Sequence, residues 1–165
     1  MGERELKRCI PVAILLLQVL ACNPDAGFGK FPWTEFGLQD TQGKGGVVFL
    51  LKFGEITCGS CLGAIERARA TAEEAIQHGN PEKRLFLVVD PYEEDSSLVR
   101  AVLLKWAKAA SWNIHITVAR PGTFLSRGIT KSTVIVVDSK GYIRFQGALP
   151  LGERKLSAFR AQLLD

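Results

Sequence analysis

Two cysteines, Cys58 and Cys61, stand two residues apart with Gly59 and Ser60 between them. A C-x-x-C pair serves thiol–disulfide exchange, or forms half of a soft-metal site. Its setting bears on which. It follows an apolar run, residues 47–53 (VVFLLKF), and opens a segment of helical periodicity. A helix N-terminus presents unpaired N–H groups and the positive end of the dipole, and both stabilise a thiolate. The first cysteine, the more exposed, attacks. The second, one turn in, is placed to displace the resulting mixed disulfide. Gly59 and Ser60 are small and leave the approach open.

The metal reading can be tested by counting ligands. The chain has four cysteines and two histidines. Cys9 and Cys22 lie far upstream, in segments that read as export signals. That leaves His78 and His115 as partners. His78 is about 25 Å along the helix from Cys61 at 1.5 Å per residue, and His115 falls within a strand. A closed four-ligand zinc site is disfavoured, and no metal ligands are assigned. A redox pair, a metal-handling pair and a structural disulfide remain as readings of the two thiols.

The surrounding elements can be read from periodicity. Residues 47–53 are apolar on both alternating faces except at Lys52, the pattern of a central strand buried on both sides. Residues 54–57 make a loop. The helix from Cys58 carries Leu62, Ile65, Ala68, Ala72 and Ile76 at helical spacing until Gly79-Asn80-Pro81 stops it. Residues 85–89 (LFLVV) are a second buried strand, ended by Asp90-Pro91. Ser96 or Ser97 then caps a helix through Ala110 with Leu98, Val102, Leu103 and Trp106 on one face. Residues 114–119 alternate as a third strand, and Pro121-Gly122 begins a loop or short helix to Ile129. Residues 133–137 and 142–146 form a hairpin about Asp138-Ser139-Lys140-Gly141. Glu153 to Leu164 is an amphipathic helix with Leu156, Phe159, Leu163 and Leu164 apolar. Alternating β and α units followed by a hairpin predict a mixed sheet flanked by helices, an α/β fold. Trp106 and Trp112 read as packing residues, and Asp138 as a turn residue.

Upstream, residues 1–8 are polar and residues 10–21 (IPVAILLLQVLA) are nearly all apolar. Twelve helical residues span only about 18 Å, which suits the core of a secretory signal better than a bilayer crossing. Val19-Leu20-Ala21-Cys22 resembles a bacterial lipobox, which implies lipidation at Cys22 and attachment on the exported side of a membrane. Residues 1–21 are thus expected to be a signal peptide of lipoprotein type. Residues 22–44 would be a Gly/Pro-rich tether and irregular lead-in, and residues 45–165 the folded domain.

The bulk numbers are those of an ordinary globular chain: 165 residues, 47% hydrophobic, 23% charged, net charge +4. No Lys/Arg block and no aromatic–basic interleaving is present, so nucleic acid is not an expected partner.

The segment VVFLLKFGEITCGSC, the strand–helix units after it and the hairpin TVIVVDSKGYIRFQG together resemble the thioredoxin superfamily. Within it the chain is most similar to the exported, membrane-attached proteins of the TlpA/ResA type, over about residues 45–165. The resemblance implies a three-layer α/β/α sandwich with a mixed central sheet. It also implies a thiol–disulfide oxidoreductase with Cys58 and Cys61 as catalytic residues and no cofactor beyond their disulfide. Expected partners are exported protein thiols or disulfides and a membrane electron donor. The expected location is the bacterial cell envelope, on the periplasmic face in a Gram-negative cell.

Three positions depart from that family's pattern. The cis-proline that usually precedes the hairpin strand is replaced at Ser132, with Lys131 and Thr133 beside it. That loop usually packs on the sulfurs and offers backbone groups to a peptide. Lys52 stands six residues before Cys58, where a buried acid is usual. It would favour thiolates, act as the base if its own pKa were depressed, or carry its ammonium out to solvent. Ile56-Thr57 replace the aromatic before the first cysteine, and Glu55 nearby is a candidate proton relay. The altered loop admits a second function, a thioredoxin-fold copper carrier, because two thiolates suit Cu(I). The longer Cys spacing and placed His of the SCO/SenC chaperones have no match. A peroxidase-like reading is weaker, since Thr57 immediately precedes Cys58.

Overall fold

In a computed structural model, the structure describes residues 28–38, 45–79 and 83–164. The apolar run of residues 10–21, the lipidation candidate Cys22 and the turn residues Asn80 and Pro81 lie outside the described residues.

β1 (Gly46–Lys52) is buried along nearly its whole length, as a run apolar on both faces requires. It pairs in parallel with β2 (Arg84–Asp90), and β2 pairs in parallel with β3 (His115–Val118). On its other side β1 is antiparallel to β4 (Thr133–Val137), which forms a hairpin with β5 (Ile143–Ala148). The sheet order is β3-β2-β1-β4-β5. Asp138 closes the hairpin by accepting from the Lys140 and Tyr142 N–H groups and pairing with Arg144. Gly141 takes the positive φ of 85° that the turn needs.

Alternation along β1 divides the core in two. Val47, Phe49 and Leu51 join the side chains of three helices: α1 (Gly59–His78), α2 (Ser96–Ala109) and α3 (Glu153–Leu164). Val48 and Leu50 join the opposite cluster, covered by residues 31–38 and by Phe124 from the single helical turn Thr123–Ser126. The two outer layers are therefore unequal. One holds the long helices, and the other holds irregular chain with one 3-10 turn, Trp33–Phe36.

That second layer corrects the domain boundary expected at residue 45. Phe31, Trp33, Phe36 and Leu38 are each at most 5% exposed. Lys30 bridges to Tyr142, and the Phe31 N–H donates to the Gly141 carbonyl. The folded domain thus takes in residues 28–38. Their aromatic residues fill a sheet face without any helical or strand period.

The other differences are local. β1 ends at Lys52, one residue before the expected strand end, and Phe53–Ile56 form a helical turn where a loop was expected from residue 54. α2 is capped by Asp95, whose carboxylate accepts from the Ser97 and Leu98 N–H groups. Its buried stripe is Val99, Leu103 and Ala107, whereas Leu98 and Val102 are exposed. Apolar residues populate two neighbouring stripes of this helix, and periodicity alone does not choose between them. β3 is shorter than expected, and β5 extends to Ala148. On α3, Phe159 and Leu163 are buried and Leu164 is exposed. Among the described residues no helix is long and apolar enough to cross a membrane.

Candidate active site

The chain leaves β1 at Lys52 and makes the helical turn Phe53–Ile56. The Thr57 hydroxyl closes it by donating to the Gly54 carbonyl at 3.0 Å. Cys58 then takes extended angles (φ −87°, ψ 117°) as the N-cap of α1, and the Leu62 N–H donates to its carbonyl. Both thiols are free; Cys58 is exposed and Cys61 half-buried. A Cβ added at Gly59 would meet nothing within 4 Å, so the approach to the first sulfur is open.

The two thiols differ in acidity. The Cys58 pKa is lowered to about 7, first by the Ser60 hydroxyl, 3.3 Å from its sulfur, and next by the Cys61 N–H and thiol. A thiolate accepting several hydrogen bonds is stabilised over its thiol. The Cys61 pKa is raised, first by its hydrogen bond to Cys58, then by burial, the Cys58 charge and the charge of Glu55. Ser60 therefore does more than leave room. Its hydroxyl, two residues from Cys58, is the signal from which this role could have been read.

Glu55 and Lys52, the two proton-transfer candidates, part company here. The Glu55 carboxylate acts on Cys61 and also accepts from the Ser132 N–H at 3.1 Å. Lys52 shares the face of Val48 and Leu50, away from α1, and its ammonium lies 5.7 Å from the Tyr92 ring centroid. Tyr92 itself was not picked out from sequence. It is 66% exposed and takes φ 56°, held by its N–H donating to the buried Asp90.

Ser132 is fully buried. The cis peptide among the described residues is Leu149–Pro150, so the bonds flanking Ser132 are trans. Its hydroxyl accepts from the Lys52 N–H at 3.0 Å, and its carbonyl accepts from the Leu149 N–H at 2.8 Å. The Thr133 hydroxyl donates to the Lys131 carbonyl at 2.9 Å. The loop 131–133 is thus tied to both ends of the turn that presents the cysteines.

His78 sits in the last turn of α1 and His115 begins β3, both toward the sheet end opposite the thiols. Among the described residues, no three His, Cys, Asp or Glu side chains converge as a metal site.

No family model matches the sequence. No curated protein matches it either. Solved structures do match in shape. The exposed lipoprotein thioredoxin of Streptococcus pneumoniae is 21% identical with a TM-score of 0.51, covering 84% of this chain and 98% of that one. A thiol-disulfide isomerase of Corynebacterium glutamicum is 17% identical with a TM-score of 0.54, covering 76% and 84%. A secreted disulfide oxidoreductase of Mycobacterium tuberculosis is 13% identical with a TM-score of 0.50, covering 76% and 84%. At these identities the likeness is one of architecture: the chain has the thioredoxin fold, with a C-x-x-C at the start of its first long helix.

Proposed function

We propose that the protein is a thiol–disulfide oxidoreductase working through Cys58 and Cys61. The observation that carries this is the placement of an exposed Cys58 as the N-cap of α1, with a half-buried Cys61 in the first turn behind it. The Cys58 thiolate attacks one sulfur of a partner disulfide, forming a mixed disulfide and releasing one partner thiolate. Cys61 gives up its proton, with the Glu55 carboxylate, whose charge acts on it, as the candidate base, and its thiolate attacks the Cys58 sulfur. The second partner thiol leaves. The partner disulfide has gained two electrons and two protons, and the chain holds a Cys58–Cys61 disulfide. Run backwards, the same steps oxidise a dithiol. The full chain should turn over a dye-labelled glutathione disulfide with dithiothreitol as reductant, and Cys58→Ser should not. Attack should follow the thiolate fraction, rising about tenfold from pH 6 to pH 8 for a pKa near 7. Equal rates in the two proteins would sink the reading.

The site is read as facing away from a membrane. Lys30 pairs with Tyr142 at the hairpin-turn end of the sheet, so the described chain begins opposite the cysteines. Five residues, 23–27, separate the lipobox cysteine from Phe28. They reach at most about 20 Å when extended. Similar structures include a secreted protein and an exposed lipoprotein, which fits lipid anchoring in a bacterial envelope with exported thiols and a membrane electron donor as partners. Cys22→Ser should move the protein from the membrane pellet to the soluble fraction of an expressing bacterium. Unchanged pelleting would remove Cys22 as the anchor.

A further inference from the structure

The two ends of the sheet differ in charge. The hairpin-turn end gathers the starts of β1, β2 and β3, the turn 138–141 and the entry of the described chain. Lys30 and Lys140 stand exposed there and line one open cleft of about 330 Å³ with Pro32, Trp33 and Gly141. Among the described residues neither lysine joins an ion pair. The carboxylate of the turn, Asp138, is taken up by Arg144 and by two backbone N–H groups. Arg84 opens β2 and Lys108 lies in the last turn of α2, both exposed and at this same end. Two aromatic rings flank the lysines. Phe28 is 66% exposed and Tyr142 41%, the latter with its ring centroid 5.5 Å from the Lys30 ammonium. At the dithiol end, Glu93, Glu94 and Asp95 follow β2 and Glu55 precedes Cys58, which offsets the loop bases Arg120 and Lys131.

We infer that the hairpin-turn end is a docking surface for an anionic lipid bilayer. Phe28 and Tyr142 settle at headgroup level, where aromatic rings are favoured. Lys30 and Lys140 meet lipid phosphates, each basic side chain held near such a surface adding roughly fivefold to partitioning. The inference rests on the lipid-anchor reading above, because the tether makes so small a basic patch sufficient. The stretch between Cys22 and Phe28 holds this end within about 20 Å of a lipid on Cys22, and that closeness multiplies weak contacts without adding new ones. The dithiol lies at the far end of β1, a strand about 20 Å long. Docking by the basic end thus fixes the sulfurs outward, toward partners, rather than leaving the domain to tumble on its tether.

The test uses the full chain, purified from the membranes of an expressing bacterium and reconstituted in vesicles of phosphatidylcholine alone or of phosphatidylcholine with phosphatidylglycerol. Exposed lysines are acetylated briefly and read by peptide mass, with Lys131 at the dithiol end as the internal reference. Acetylation of Lys30 and Lys140 relative to Lys131 should fall about fivefold when phosphatidylglycerol is present, and the protection should fade as salt screens the surface. Lys140→Glu, with its near-UV circular dichroism unchanged, should reduce the protection of Lys30 to less than about twofold. A chain that floats with both vesicles but shows no change in these ratios would overturn the inference and leave the anchor reading standing. Protection of Lys30 undiminished in Lys140→Glu would overturn it as well. A chain that floats only with the anionic vesicles would support the docking surface and remove the anchor. Flotation with neither would overturn both.

Discussion

In the absence of external thiol, Cys61→Ser should accumulate a protein joined through Cys58 to half of its substrate. Cys58 keeps its exposed place at the helix N-terminus and most of its hydrogen bonds, so the first attack proceeds. Resolution then fails, because a serine hydroxyl is not ionised at neutral pH and displaces no sulfur. The normal resolving step is intramolecular, and well-oriented intramolecular attack corresponds to effective concentrations of about 10⁵ M or more. Millimolar external thiol cannot match that, so without dithiothreitol the adduct should persist at least about a thousandfold longer than in the parent. Intact mass should show the adduct, and dithiothreitol should release it. Cys58→Ser, which retains only the half-buried thiol, should form little adduct. A Cys61→Ser protein that accumulates no adduct without external thiol, while still cleaving the substrate, would show that Cys61 does not resolve the intermediate.

The chemistry of this pair was legible because it is local. Strand, turn, N-cap and helix follow one another within about fifteen residues, and each has its own sequence signal. What lies around the pair was not, because its partners are distant in the chain. From sequence, Ser132 registers as the loss of a proline. In the fold its N–H meets Glu55, seventy-seven residues away, and its hydroxyl meets Lys52, eighty away. Lys52 reads as a buried-charge position by counting back from Cys58. Its ammonium goes to Tyr92, placed there by a positive φ after Pro91 that no periodicity announces. Glu55 and Lys52 were equal candidates for proton transfer, and the parity of β1 separates them: Lys52 falls on the face away from α1.

The same contrast holds for the fold. β1, β2 and β4 are short unbroken apolar runs, and such runs have one place to go in a sheet covered on both faces. The helix layer was equally plain, apart from which stripe of α2 turns inward. The opposite layer was hidden, because a Gly/Pro-rich segment bearing scattered aromatics has the composition of a linker. Only the exposed half of the sheet shows that something must cover it. Val48, Leu50, Phe86, Val88, Ile135 and Val137 would otherwise face water.

A chain beginning at residue 45 should therefore not fold cooperatively, while one beginning at residue 28 should. The shorter chain lacks Phe31, Trp33, Phe36 and Leu38, all buried. Truncating a buried Phe or Trp to Ala costs about 3–5 kcal/mol, and a buried Leu about 2–5. Four such losses together come to about 11–20 kcal/mol, as much as the 5–15 kcal/mol by which a domain is typically stable. Near-UV circular dichroism and urea unfolding of the two truncated chains measure this directly. A single-site version separates packing from chain length. The Trp33 ring sits edge-on to Phe31 and Phe86, with centroids 4.7 and 5.4 Å away, and among the described residues its buried N–H has no hydrogen-bond partner. Trp33→Ala should lower stability by about 3–5 kcal/mol. Trp33→Phe keeps an aromatic ring there and removes an unmet donor, so its loss should stay within about 2 kcal/mol. If the chain from residue 45 unfolds at the same urea midpoint as the chain from residue 28, the aromatic layer contributes nothing to the fold. The domain boundary would then return to residue 45.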